Sequence, residues 1–310
     1  MPKFPTIPRL SIIVPLGADL AAFEDSLVSV LASAPAGVEV IVPHDGSYDD
    51  PFDLGDEVRF LTAPSHELVT LLTNSLEHAR GQYIHVLAGG VKATDGWIDA
   101  GMQAFDQSDV ASVAPVVQGA TGKVLSAGWS DTPTRLCCPS EAGADGSFAR
   151  TGGVFLNACF FRRDVLRSLL DAIDLVDETE VTYALGLLMR QAGWTAQVAS
   201  KCQLVIEDSS GALSLESRLG IEPSYTRGQS LEAVRQALGR RPAGAISTVL
   251  TGVLSNLFHP GLALESLGRL SAGRHVAVAK SRIDPDSVKP YGQERASLSM
   301  SVKAPRRKAA

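Results

Sequence analysis

The sequence predicts an α/β fold: a mainly parallel sheet flanked by helices, followed by a C-terminal helical extension. Three observations carry this expectation. Short apolar runs rich in β-branched residues recur through the first hundred residues, as LSIIV (10–14), VEVIV (38–42), VRFL (58–61) and YIHVL (83–87). Between them, apolar residues fall at helical spacing: Leu20, Phe23, Leu27, Val30 and Leu31, then Leu68, Leu71, Leu72, Leu76 and Ala79. Strand and helix therefore alternate, which is the pattern of a parallel sheet covered on both faces.

Local signals set the order and limits of the elements. Pro15 ends the first strand, Asp19 suits the cap of the first helix, and Pro35 and Gly37 close that helix. The second strand runs into a polar cluster, His44-Asp45-Gly46-Ser47-Tyr48-Asp49-Asp50. Ser65 and Glu67 suit the next helix start, and Gly81 ends that helix. Thr94 or Asp95 opens a helix containing Trp97, Ile98 and Phe105. Further on, 110–117 and 124–128 read as strands, 136–149 as a Gly/Ser/Ala/Pro-rich loop, and 154–161 as a strand followed by a helix from Asp164. Residues 180–192 form a helix with Leu185, Leu188 and Met189 on its apolar face, stopped by Gly193. Residues 230–240 read as a short amphipathic helix. Residues 243–267 read as two more, joined at His259-Pro260, which pack on the main domain or lie on a membrane surface. The expected division is 1–225 for the main domain, 226–275 for the helical extension and 276–310 for a loosely ordered tail. That tail is made basic by Lys303, Arg306, Arg307 and Lys308.

Composition removes several classes of function. The 310 residues are 45% hydrophobic and 20% charged, an ordinary globular balance. A net charge of −6 lacks the basic footprint of a nucleic-acid binder. The first strand is not followed by the G-x-G-x-x-G turn of a dinucleotide-binding dehydrogenase. Cys137, Cys138, Cys159 and Cys202 have no metal-ligand spacing. No apolar run reaches membrane-spanning length and the first residues lack a signal-peptide apolar region, so the expected location is cytoplasmic, with membrane contact only at the periphery. Ligands of open parallel sheets sit outside the carboxyl ends of the strands, which points to the loops after Val14, Val42 and Leu87.

Over residues 9–205 the chain resembles the family 2 glycosyltransferases of the GT-A fold. The resemblance rests on LSIIVP (10–15), VIVPHDGSYDD (40–50), NSLEHARGQYIHVLAGG (74–90), VLSAGW (124–129), TGGVFLNACFFRRDVL (151–166) and LLMRQAGW (187–194), in the family's order. It implies transfer of a sugar from a nucleoside-diphosphate sugar, such as a UDP-sugar, to a hydroxyl of a glycan or lipid-linked acceptor. It places Pro15, Asp45, Gly46 and Ser47 on the nucleotide side. Asp45 matches the carboxylate that accepts a hydrogen bond from the base; an ionised carboxylate is acceptor-only, which suits a uracil N3–H. A turn role for Asp45 is the alternative. His44 replaces the first Asp of the loop and reads as an exposed loop position.

The chain also departs from the pattern. The family holds a divalent cation, Mn or Mg, with a D-x-D motif after the fourth strand. The matching residues are Ala88, Gly89 and Gly90, so the expected metal ligands are absent. The usual acidic base pair falls on Val181 and Thr182. Glu178 and Glu180 lie just upstream as candidate catalytic bases, or as acids favouring a helix N-terminus. Arg162, Arg163 and Lys92 are candidate partners for leaving phosphates, or surface charges. A catalytically inactive GT-A domain that binds or scaffolds is the second implied function.

Overall fold

The computed structural model describes residues 8–133, 135–140, 142, 147–148, 151–207 and 225–238. The two helices expected over 243–267 and the expected basic tail lie outside the described residues.

The chain alternates β1 (Leu10–Ile13), α1 (Leu20–Ser33), β2 (Glu39–His44), β3 (Arg59–Thr62), α2 (Leu68–His78), β4 (Tyr83–Leu87), β5 (Val91–Lys92) and α3 (Trp97–Met102). It continues with β6 (Val110–Gly119), β7 (Val124–Ser126), β8 (Trp129–Ser130), β9 (Cys138–Pro139), β10 (Ala158–Arg162), α4 (Arg163–Asp171), α5 (Glu178–Gln191), β11 (Thr195–Ile206) and α6 (Tyr225–Leu238). The large sheet has the order β3-β2-β1-β4-β10-β6-β11-β5, with β7 added on β6. Strands β3, β2, β1 and β4 run parallel, β10 runs against β4 and β6, and β6 and β11 are parallel.

Both faces of the sheet are buried, which explains the continuous apolar runs. Successive strand residues point to opposite faces. Ile13 and Ile41 pack with α2, α4 and α5, whereas Ile12, Val40 and Val42 pack with α1 and α3. Most limits shift by a few residues from the sequence reading, and three differences have a clear cause. Strand β2 continues through Pro43 and His44 because it pairs with β3 to that point. Strand β10 begins only at Ala158, since residues 154–157 turn so that the Asn157 carbonyl can accept the Ala88 N–H at 2.8 Å. Strand β11, twelve residues long, has too many polar side chains to be read as a buried run, yet it pairs with β6 over most of its length.

Two buried polar groups fix the centre and the lower edge of the sheet. Glu39 is fully buried at the start of β2 and accepts from the Ser11 hydroxyl (2.5 Å), the Arg80 backbone N–H (2.9 Å) and Arg80 Nε (2.9 Å). Burial pushes its carboxyl up, but the hydrogen bonds from Ser11 and Arg80 outweigh this and hold it below the ordinary value. Ser11 Oγ in turn accepts from the Gly81 N–H at 2.9 Å. His85, fully buried in β4, stacks on Phe160 with ring centroids 3.8 Å apart. Its Nε2 accepts from Trp97 Nε1 (3.0 Å), so Nδ1 carries the proton and donates to the Cys159 carbonyl (2.9 Å).

Candidate functional site

The loops after β1 and β4 meet the starts of α1, α2 and α5 in a cleft of about 200 Å³. Its walls include Pro15, Asp19, Phe23, His66, Ala88 and Glu178. The chain beyond β1 is held onto β2 by Val14 N–H to Ile41 O (2.9 Å) and Leu16 N–H to Pro43 O (3.0 Å). This sets Pro15 to Ala18 across the strand ends, and Asp19 then caps α1 by accepting from the Ala22 N–H at 3.1 Å.

The loop after β2 lies beside this cleft, where its Asp45 approaches His66, a wall residue between β3 and α2. Gly46 has φ +94°, a left-handed turn that glycine adopts without strain. Asp45 closes the turn, accepting from Ser47 N–H (3.1 Å) and Ser47 Oγ (2.5 Å), and its other oxygen lies 3.9 Å from His66 Nδ1. The Ser47 hydroxyl and N–H hold the Asp45 carboxyl below its ordinary value. Asp45 therefore does serve the turn and is exposed; of the expected nucleotide-side residues Pro15 lines the cleft, whereas Asp45, Gly46 and Ser47 are not among its lining residues. His44 differs from expectation: it is buried rather than exposed. It packs edge-on to Tyr48 and Phe60, and its Nδ1 accepts from the Gly46 N–H at 3.2 Å. Tyr48 continues that cluster onto Phe23.

Beyond β4 the backbone turns through Gly89 (φ +67°) and Gly90 (φ +79°), and Ala88 and Gly89 face the cleft. Alanine and glycine offer no side-chain donor atom. Among the described residues, no group of three or more His, Cys, Asp or Glu side chains is placed to hold a metal ion. The side chains present do not fit the divalent cation that the resemblance implies.

The two candidate acids separate. Glu178, first residue of α5, faces the cleft. Glu180 is buried and its carboxylate meets the Ser230 hydroxyl of α6, a positioning contact between helices. Asp177 caps α5, accepting from the Thr179 and Glu180 N–H groups at 3.0 and 2.9 Å. The three candidate cations are engaged away from the cleft. Lys92 pairs with Asp25 (3.2 Å) and Glu207 (2.8 Å). Arg162 lies over Tyr83, Phe105 and Trp194 and donates to the Val110 carbonyl at 2.7 Å. Arg163 donates to Asp164 and to the Ala79 carbonyl.

His66 and Asn157, which also line the cleft, carried no sequence signal strong enough to single them out. Asn157 does interrupt the apolar run FLNACFF, a polar residue where a buried strand was expected. The TGG and GW segments serve packing. The Trp129 ring is so tightly enclosed that a Cβ on Gly152, Gly153 or Gly186 would lie 2.3–2.7 Å from it.

No family model matches this chain, and no curated protein matches it. Solved structures do. The chain is similar to GalNAc-T7, solved with UDP, GalNAc and Mn2+, at a TM-score of 0.57 and 11% identity. That likeness covers 96% of this chain and 58% of that protein, so the chain spans little more than half its length. The mannosyltransferase PcManGT from Pyrobaculum calidifontis, in complex with GDP-Man and Mn2+, gives a TM-score of 0.44 and 14% identity over 97% of this chain and 83% of that one. The fold is that of the GT-A glycosyltransferases.

Proposed function

We propose that this chain is a glycosyltransferase-like protein whose cleft takes the nucleoside part of a nucleotide-sugar type of ligand, and that it serves as a binding or scaffolding module without metal-assisted transfer. The observation that supports this most is the position of Ala88 and Gly89 on the cleft, where the fold's relatives would place metal carboxylates. Asp45, exposed beside the cleft-wall residue His66, is the candidate acceptor for a base N–H. Pro15, on the cleft wall, and Gly46 and Ser47, in the Asp45 turn, are the other residues of the proposed nucleotide side.

A second reading is supported by Glu178. A carboxylate facing the cleft from a helix start suits a general base for an acceptor hydroxyl of a glycan or lipid-linked acceptor at the inner membrane surface. Thermal unfolding with UDP, GDP and their sugars, in Mn2+ and in EDTA, separates the readings. Stabilisation that persists in EDTA and disappears in Asp45→Ala supports the binding module. In a parallel sugar-transfer assay, turnover, with or without Mn2+, that is lost in Glu178→Gln supports the transferase. Stabilisation by no nucleoside-containing ligand rejects both.

A further inference from the structure

A second, larger groove lies away from the cleft. It holds about 530 Å³, within the roughly 300–1,000 Å³ of small-molecule pockets. Its lining includes Gln107 and Asp109 from the turn before β6, Phe148 and Thr151 from the segment before β10, and Thr195 and Gln197 from β11. Strands β4 and β6 both run against β10, so they are parallel to each other, and β11 is parallel to β6. The groove begins where β6 and β11 start, whereas the cleft lies past the end of β4. The two therefore begin at opposite ends of the sheet.

The polar groups of this groove are held in place from behind. Arg162 donates to the Phe105 and Gln107 carbonyls, each at 3.3 Å, and to the Val110 carbonyl at 2.7 Å, which pins the turn that carries Gln107 and Asp109. The Thr195 N–H donates to the Asp109 carbonyl at 2.9 Å, which ties the same turn to β11. The Thr195 hydroxyl lies 3.2 Å from that carbonyl and 3.3 Å from Asp109 Oδ2. Gln197 Nε2 donates to Gln107 Oε1 at 2.5 Å, so the two side-chain amides are fixed against each other. On the other wall, Thr151 Oγ1 lies 2.9 and 2.7 Å from the Trp129 and Gly153 carbonyls.

This set offers donors and acceptors side by side. The amide pair still presents the Gln107 NH2 group and the Gln197 carbonyl, and Asp109 adds an exposed carboxylate that only accepts. An anion calls for donors alone and a cation for acceptors alone, whereas a row of hydroxyl groups uses both, because each hydroxyl donates and accepts. Half-buried Phe148 supplies an aromatic ring, whose negative face suits the C–H groups of a sugar ring. We propose that this groove binds an uncharged saccharide unit, as a glycan site separate from the cleft and independent of what the cleft binds. Arg162 acts there as a positioning residue.

Saturation-transfer NMR on the full chain tests the proposal with the methyl glycosides of glucose, galactose, mannose and N-acetylglucosamine. The expected result is transfer to at least one of the four. In a Gln107→Ala, Gln197→Ala variant its affinity should fall about tenfold. Asp109→Asn keeps the shape and should weaken it several-fold, which gives a second reading of the same groove if the double variant does not fold. Asp45→Ala, Glu178→Gln and added UDP should leave the affinity within about twofold, since they act at the other end of the sheet. Transfer to none of the four glycosides overturns the proposal. Unchanged affinity in either folded groove variant, or its loss in the cleft variants, puts the sugar elsewhere and overturns it too. Displacement of the glycoside by inorganic phosphate makes the groove an anion site and overturns the proposal as stated.

Discussion

Gly81 shows how one residue in the ARGQY stretch is dictated by contact rather than by helix termination alone. A Cβ there would sit 2.4 Å from the Ser11 backbone nitrogen and 2.7 Å from Ser11 Oγ. Neither can retreat, because Ser11 is held in β1 and bonded to Glu39. Gly81→Ala should destabilise the fold by about 2–4 kcal/mol, read from the urea midpoint. His85 makes a second residue-scale prediction. Burial lowers its pKa from 6.5 to about 4, with the Cys159 carbonyl opposing. The folded state keeps it neutral while the unfolded chain protonates below 6.5. Its contribution is therefore complete above pH 6.5 and is lost as pH falls toward 4, on the order of 3 kcal/mol in total. Stability measured from pH 7 to pH 4 should fall across that window, and a folded His85→Leu variant should show a flatter profile.

At the scale of elements, Glu39 joins β1, β2 and the turn between α2 and β4. Its lowered pKa means that its carboxylate stabilises the fold above the ordinary carboxyl range and loses that effect as pH falls through the folded value. Glu39→Gln keeps the shape but weakens the bonds from Arg80 and Ser11, and about 2–3 kcal/mol should be lost by denaturant titration at pH 7. The contact between α5 and the β8 region depends on Gly186, where a Cβ would lie 2.3 Å from the Trp129 ring and 2.8 Å from the Gly152 carbonyl. Gly186→Ala should cost about 2–4 kcal/mol and alter the near-ultraviolet dichroism of that tryptophan. The two acids of α5 should divide by phenotype. Glu180→Gln should lower stability through its contact with Ser230, whereas Glu178→Gln should alter the response to ligand at the cleft.

For the whole molecule, α6 ties distant sequence to the main body. Leu231, Val234 and Leu238 are buried in the same core as α5 and α2. Leu231→Ala should shift one cooperative urea transition to lower midpoint, by about 2–4 kcal/mol, with no separate early phase. An independently melting early phase would show that α6 is not part of that core.

Much of the fold was legible because it is written in local periodicity. The strands at 10–14, 38–42 and 83–87 and the apolar stripes of α1 and α2 are short-range patterns, and burial on both faces leaves few other ways to satisfy them. Strand β11 was not legible, since its pairing with β6 spans some eighty residues and its exposed positions are polar. The site was legible only in part. Of the cleft's lining, Pro15, Ala88, Gly89 and Glu178 were singled out along the chain, whereas the Asp45 loop and Glu180 lie outside that lining. Tertiary structure alone decided that Glu178 faces the cleft while Glu180 meets Ser230, that His44 is buried, and that Arg162, Arg163 and Lys92 are engaged elsewhere. The sequence by itself determined the locally patterned elements, β1 to β4 with α1 and α2, because backbone preference and apolar spacing act over a few residues. It could not determine which charges meet, because a side chain's partner is set by where the folded sheet brings residues separated by tens of positions.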